Sequence, residues 1–134
     1  SLIQTLKRPE IKAVGGVAVG GIPLAVATSL SSVNSSQELY SFLIRKEKKE
    51  HGMGKLIEGI DFLQKDDTVI LVEDVVTTGA SVLFGVESIQ NTGLIIDTVL
   101  AIVDRNEGGK EALRQHHISL LSLFQKEDFL SAKS

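Results

Sequence analysis

The chain has 134 residues, 43% of them apolar and 23% charged, with a formal net charge of −3. One domain of that size buries a core without covalent staples, and the lack of cysteine excludes disulfides, thiolate metal sites and cysteine nucleophiles. The mild acidity is not that of a nucleic-acid binder, and no apolar run is long enough to span a membrane.

In chain order, Leu2, Ile3 and Leu6 before Pro9 predict a short helix ended by the proline. Ile11 to Val14 reads as a short buried strand, Gly15 to Gly21 as a glycine-dense turn, and Ile22 to Leu30 as a helix with Pro23 in its tolerant first turn. The polar stretch Ser31 to Ser36 is a loop, and Leu39 to Ile44 a strand. From Arg45 to Gly59 charge and glycine replace apolar anchors, and an exposed loop is expected. Thr68 to Val72 is a β-branched run suited to a parallel strand buried on both faces. Then come a helix over Ser81 to Gln90, a strand over Leu94 to Val103, a helix over Glu107 to Gln115, a strand over Ile118 to Phe124 and a closing helix over Gln125 to Ala132. The alternation predicts an α/β fold, an open, mostly parallel sheet flanked by helices, in one domain over 1–134. With no initiator Met and a start like the end of a helix, the chain reads as a piece of a longer polypeptide. The glycines and Pro23 make Ala13 to Leu30 a poor lipid helix, and its flanks are not those of a signal peptide.

The segment richest in chemistry runs from Val69 to Ser81. Its strand leads into two adjacent carboxylates, Glu73 and Asp74. Val75, Val76, Thr77, Thr78, Gly79 and Ala80 follow, and a helix begins near Ser81. In open α/β sheets, ligands bind beyond the carboxyl ends of the strands. A short loop there can aim successive amides into one concavity, and the helix start adds partial positive charge, which makes a phosphate cradle. Gly79 is expected to let backbone approach phosphate closely. The two acids would repel phosphate unless they bind ribose hydroxyls, directly or around Mg²⁺, where they would also favour positive charge on the sugar. Residue by residue, a capped helix after an ordinary strand explains the same pattern.

Taken whole, the string resembles the phosphoribosyl pyrophosphate (PRPP) motif of type I phosphoribosyltransferases: an apolar strand, two acids, two apolar residues, Thr-Thr-Gly. A second string, Arg45-Lys46-Glu47-Lys48-Lys49-Glu50-His51-Gly52, resembles the catalytic loop of the orotate phosphoribosyltransferases. That resemblance implies that Glu73 and Asp74 hold the ribose and that Val75, Val76, Thr77, Thr78, Gly79, Ala80 and Ser81 cradle the 5′-phosphate. It implies that Arg45, Lys46, Lys49 and His51 contact the pyrophosphate end, with Lys49, His51, Glu73 and Asp74 forming the catalytic set. The loop in that family reaches into a neighbouring subunit's site, so a homodimer is implied. Ala18 to Gly21 resembles a glycine version of the loop that meets pyrophosphate through backbone amides; Val19-Gly20 stands where many bacterial members carry Tyr-Lys. Arg105, in Asp104-Arg105-Asn106-Glu107-Gly108-Gly109, stands where the family pairs an arginine with the orotate carboxylate, and Thr77 is expected to help orient that base.

The family resemblance covers about Ile11 to Phe124. It implies a cytoplasmic enzyme, part of pyrimidine biosynthesis, that makes orotidine 5′-phosphate and pyrophosphate from orotate and PRPP. Mg²⁺ would be held mainly through PRPP and water, since the sequence has no dedicated metal cage. A phosphoribosyltransferase for another base, or a non-catalytic PRPP-binding regulator, remains open at this point. No nucleic-acid or membrane partner is expected.

Overall fold

Residues 8–46 and 56–131 are described by the structure, a computed structural model. Its sheet has six strands in the order β3-β2-β1-β4-β5-β6: β1 (Ile11–Val17), β2 (Tyr40–Ile44), β3 (Ile57–Glu58), β4 (Thr68–Val76), β5 (Ile95–Asp104) and β6 (Ser119–Gln125). The β2–β3 pair is antiparallel and the other pairs are parallel. The described helices are α1 (Gly21–Ser32), α2 (Ala80–Gln90), α3 (Gly109–Gln115) and α4 (Lys126–Ser131).

Strand β4 shows why the sheet is covered on both sides. Successive strand residues point to opposite faces. Val69 and Leu71 join Val82, Val86 and Ile89 of α2 and Leu113 of α3 in one apolar cluster. Ile70 and Val72 join Ala25 of α1 in another. Ile70 and Leu71 are fully buried, and burying each side chain is worth roughly 1.5–3 kcal/mol. This is the open α/β sheet with helices on both faces that the alternating elements predict. Among the described residues no helix is long and apolar enough to cross a membrane.

The chain leaves β1 to one side to build β2 and β3 and returns on the other side at β4. The winding direction therefore reverses between β1 and β4, where open α/β sheets form their ligand crevice. Hydrogen-bonded register makes the crevice explicit. Pairing of β1 with β4 ends at Gly16↔Val72, whereas β4 stays paired with β5 to Val76↔Asp104.

Several boundaries differ from the sequence reading. Gly15 and Gly16 belong to β1 rather than to a turn. A Cβ on Gly15 would lie 2.1 Å from the Phe42 ring, and one on Gly16 2.1 Å from the Gly21 carbonyl oxygen, so close crossings select glycine inside the strand. Ile57–Glu58, read as loop, pairs with Leu43 and Ile44. The acids Glu73 and Asp74 lie within β4, which continues to Val76. Helix α3 starts at Gly109 rather than Glu107, because Gly108 turns the chain with φ 101°. The helix expected around Leu2 to Leu6 lies outside the described residues.

At the opposite end of the sheet, Arg8 straps β1 to β5. Its guanidinium donates to Asp97 Oδ1 (2.6 Å) and Oδ2 (2.9 Å), to Thr98 Oγ1 (3.3 Å) and to Glu10 (2.6 Å). The Gln37 amide donates to the carbonyls of Arg8 and Ile11 at 2.8 and 2.9 Å.

Candidate active site

Past Val72, β4 is free of β1 on one side, and there the two acids stand. Their side chains alternate across the strand. Glu73 is buried at 7% exposure, while Asp74 is exposed. The Asp74 amide donates to Glu73 Oε1 (3.0 Å), and the Val75 amide donates to Asp74 Oδ1 (2.8 Å). Burial, and then the hydrogen bond with the Asp74 carboxylate, push Glu73 up to about 7. The same bond from Glu73 holds Asp74 below its ordinary value. Below about pH 7 the pair thus carries one proton, on Glu73, and one charge, on Asp74. Lys46 lies close enough for its charge to favour the ionised form of Glu73.

The loop after β1 leans on the same acid. A Cβ on Gly20 would sit 2.9 Å from both Asp74 carboxylate oxygens. The Ala18 amide donates to the Ile44 carbonyl (2.8 Å), and the Ala18–Val19 peptide is cis. The stretch Ala18 to Gly21 singled out in the sequence therefore borders Asp74, through Gly20.

On the far side of Val76, Thr77, Thr78 and Gly79 turn the chain into α2. Gly79 precedes the helix with φ 90°, and its carbonyl accepts the first helical bond from Leu83 (2.8 Å). The first turn of α2 carries no acidic residue. Its amides lack acceptors within the helix, and its partial positive charge is left uncompensated. Thr78 Oγ1 accepts from the Ala80 amide at 3.4 Å. Glycine at position 79 also has a packing reason. Besides its positive φ, the Cβ it lacks would lie 3.2 Å from Gly109 Cα.

Arg105 follows β5 and is exposed. Its amide donates to the Val76 carbonyl (3.0 Å), which sets it beside the Thr77–Gly79 loop, and its guanidinium stands 3.8 Å from Glu107. Arg45, at the end of β2, forms an ion pair with Glu58 of β3 at 2.8 Å. The structure therefore brings Glu73, Asp74, Val75 to Ser81, Gly20, Lys46 and Arg105 to the carboxyl edge of the central strands. Lys49 and His51 lie outside the described residues. Among the described residues no three His, Asp or Glu side chains converge as metal ligands.

No family model matches the chain. The orotate phosphoribosyltransferase of Aquifex aeolicus is 38% identical over 130 residues, which cover 97% of this chain and 70% of that protein. The chain belongs to the orotate phosphoribosyltransferase family. The crystal structure of the orotate phosphoribosyltransferase from Aeropyrum pernix superposes with a TM-score of 0.79 at 33% identity, over 92% of this chain and 66% of that one. The Mycobacterium tuberculosis orotate phosphoribosyltransferase, crystallised in complex with PRPP, superposes with a TM-score of 0.73 at 29% identity, over 88% of this chain and 64% of that one. The chain spans 64% and 66% of the length of two other curated orotate phosphoribosyltransferases.

Two features of this site are not assigned in the sequence reading. One is the contact of Gly20 with Asp74, which joins loops far apart in the chain. The other is Gly109, whose amide donates to the Thr77 carbonyl (3.0 Å). The adjacent glycines 108 and 109 at a helix start were its only sequence signal.

Proposed function

We propose that the chain carries the PRPP half of an orotate phosphoribosyltransferase, which joins orotate to PRPP to give orotidine 5′-phosphate and pyrophosphate. The observation that carries this reading is the placing of an acid pair beside a Thr-Thr-Gly loop and an uncompensated helix start at the reversal point of the sheet. Family membership and the PRPP complex of the relative support it. In the reaction the bond from ribose C1 to pyrophosphate oxygen breaks, its electron pair leaving with pyrophosphate. A ring nitrogen of orotate forms the new bond to C1 and loses its proton.

Each group has a task in that sequence. Val75 to Ser81 hold the 5′-phosphate through amides, hydroxyls and the positive end of α2. Glu73 and Asp74 hold the ribose hydroxyls, and the Asp74 charge favours the cationic character of the sugar in the transition state. Lys46, with Arg45, Lys49 and His51 of the same basic string, neutralises pyrophosphate as it departs. Arg105 offers a planar, two-pronged partner to the orotate carboxylate, and Thr77 helps to orient the base. Carboxylate oxygens are hard donors of the kind Mg²⁺ takes, so Asp74 and Glu73 could help to hold the ion, which would be bound mainly through PRPP and water. When bound, the ion supplies charge neutralisation at the pyrophosphate. A homodimer whose basic loop serves the neighbouring site and a cytoplasmic location belong to the same reading.

Titration calorimetry with PRPP and Mg²⁺ tests it. The chain should bind PRPP. Asp74→Asn should weaken binding about tenfold or more, the scale of a lost charge-assisted contact, with little change in melting temperature because Asp74 is exposed. Unchanged PRPP affinity in the variant would remove the acid pair from the site.

A further inference from the structure

Beside the Thr77–Gly79 loop stands a second turn, from Asp104 to Gly109. Asp104 closes β5 at 1% exposure, and its Oδ1 accepts from the Asn106 amide at 2.9 Å. Asn106 takes a left-handed conformation, φ 56°, and its side-chain amide donates to Glu127 and, at 3.4 Å, to Gln125. The turn is thus braced from below by a buried carboxylate and from the side by the end of β6 and the start of α4. It is stitched to the phosphate loop at both ends. The Arg105 amide donates to the Val76 carbonyl, and the Gly109 amide to the Thr77 carbonyl, each at 3.0 Å.

Between those stitches the two backbones touch. A Cβ on Gly109 would lie 2.5 Å from Val76 Cγ1, 2.8 Å from the Thr77 carbonyl oxygen and 3.4 Å from the Gly79 amide nitrogen. A Cβ on Gly79 would lie 3.2 Å from Gly109 Cα. Two glycines therefore meet back to back, one in each loop. No side-chain rotation relieves a clash with the Thr77 carbonyl, so a methyl group at 109 must move Thr77 to Gly79 or the turn.

We infer that Asp104 and Gly109 are positioning residues of the site, which make the 104–109 turn the outer wall of the phosphate cradle and fix Arg105 and Thr77–Gly79 as one unit. The inference rests on the proposed PRPP site. It extends that reading to two residues that act through the backbone of others. Its consequence is that phosphate affinity depends on the fit of a glycine–glycine contact on the base-binding side of the loop.

Calorimetric PRPP titration in Mg²⁺ separates positioning from ordinary packing, using the chain, Gly109→Ala and Ile118→Val. Ile118 is buried at 2% exposure just before β6, at the end of the sheet away from the loop. Its truncation lowers stability by about 0.5–1.5 kcal/mol. Gly109→Ala should weaken PRPP about tenfold or more in folded protein, the scale expected when contact groups shift by a fraction of an ångström to an ångström. Ile118→Val should lower the melting temperature and leave affinity within about twofold, as for an independent site. Should Gly109→Ala fail to fold by circular dichroism, Asp104→Ala and Asp104→Asn take its place. Alanine removes the acceptor for Asn106 and should weaken PRPP; asparagine keeps an oxygen there and should restore much of the affinity. The inference is overturned by a folded Gly109→Ala with unaltered affinity, by an equal loss in Ile118→Val, or by Asp104→Ala and Asp104→Asn behaving alike. A parent chain that binds no PRPP would overturn the proposed site first, and this inference with it.

Discussion

At the scale of single residues, the acid pair couples stability to pH. The ordinary value for Glu73 is 4.5, and in the folded chain it stands at about 7. Between those values the native state keeps a proton that the unfolded chain has released. Glu73 therefore makes stability fall as pH rises through that window and level off above it. Asp74, held below its ordinary 3.8, acts in the opposite sense: its contribution is present above that value and is lost as pH falls. Glu73→Gln keeps the hydrogen-bonding shape, with no charge to bury. Its melting temperature relative to the parent should rise clearly between pH 5 and pH 8, because the parent loses up to about 1.4 kcal/mol per pH unit inside the window. Scanning calorimetry at the two pH values measures this, and a constant difference would mean that Glu73 is already ionised in the native chain. The identity of these acids was legible in the sequence, because an apolar run, two acids and Thr-Thr-Gly form a local string. Their unequal burial was not, since it depends on where β1 stops pairing with β4.

At the scale of elements, the same division holds. Strand β4 and helix α2 could be read because each is specified by its own residues: a β-branched run in one, apolar spacing after a glycine in the other. Strand β3 could not, because two residues become a strand only through Leu43 and Ile44 across the hairpin. Nor could the end of β1, since glycines signal a turn until the Phe42 ring and the Gly21 backbone are known to lie against them. The Arg8 strap is another product of assembly, joining residues 89 positions apart. Its two-pronged bond to Asp97 is well formed but half-exposed, with side chains at 27% and 43% exposure. Arg8→Ala should therefore cost only about 1 kcal/mol. Urea unfolding of Arg8→Ala, Asp97→Ala and the double variant checks this. The double variant should be less destabilised than the sum of the two single changes, with PRPP affinity unchanged because the strap lies at the far end of the sheet. Strict additivity would show that the two side chains do not stabilise one another.

At the scale of the whole molecule, the two halves of the proposed site are unequally built. The phosphate loop is held by backbone bonds from Arg105 and from Gly109 of α3. Arg105 stands exposed, its guanidinium only 3.8 Å from Glu107, and one exposed ionic contact is worth about 0–1 kcal/mol. The 134-residue chain should therefore bind PRPP with Mg²⁺ and bind orotate far more weakly. Equilibrium dialysis with each ligand separates the two, and orotate binding as tight as that of PRPP would mean that this chain covers the base by itself. The sheet order described above also bears on how the chain is made. During synthesis β1, α1 and β2 emerge before β4 exists, yet Ala25 of α1 packs in the cluster with Ile70 and Val72 of that strand. One edge of β1 and the part of α1 that packs on β4 consequently wait, unpartnered, until the ribosome has released the strand bearing the two acids. The nascent chain is thus most exposed to misassociation before its ligand crevice can form.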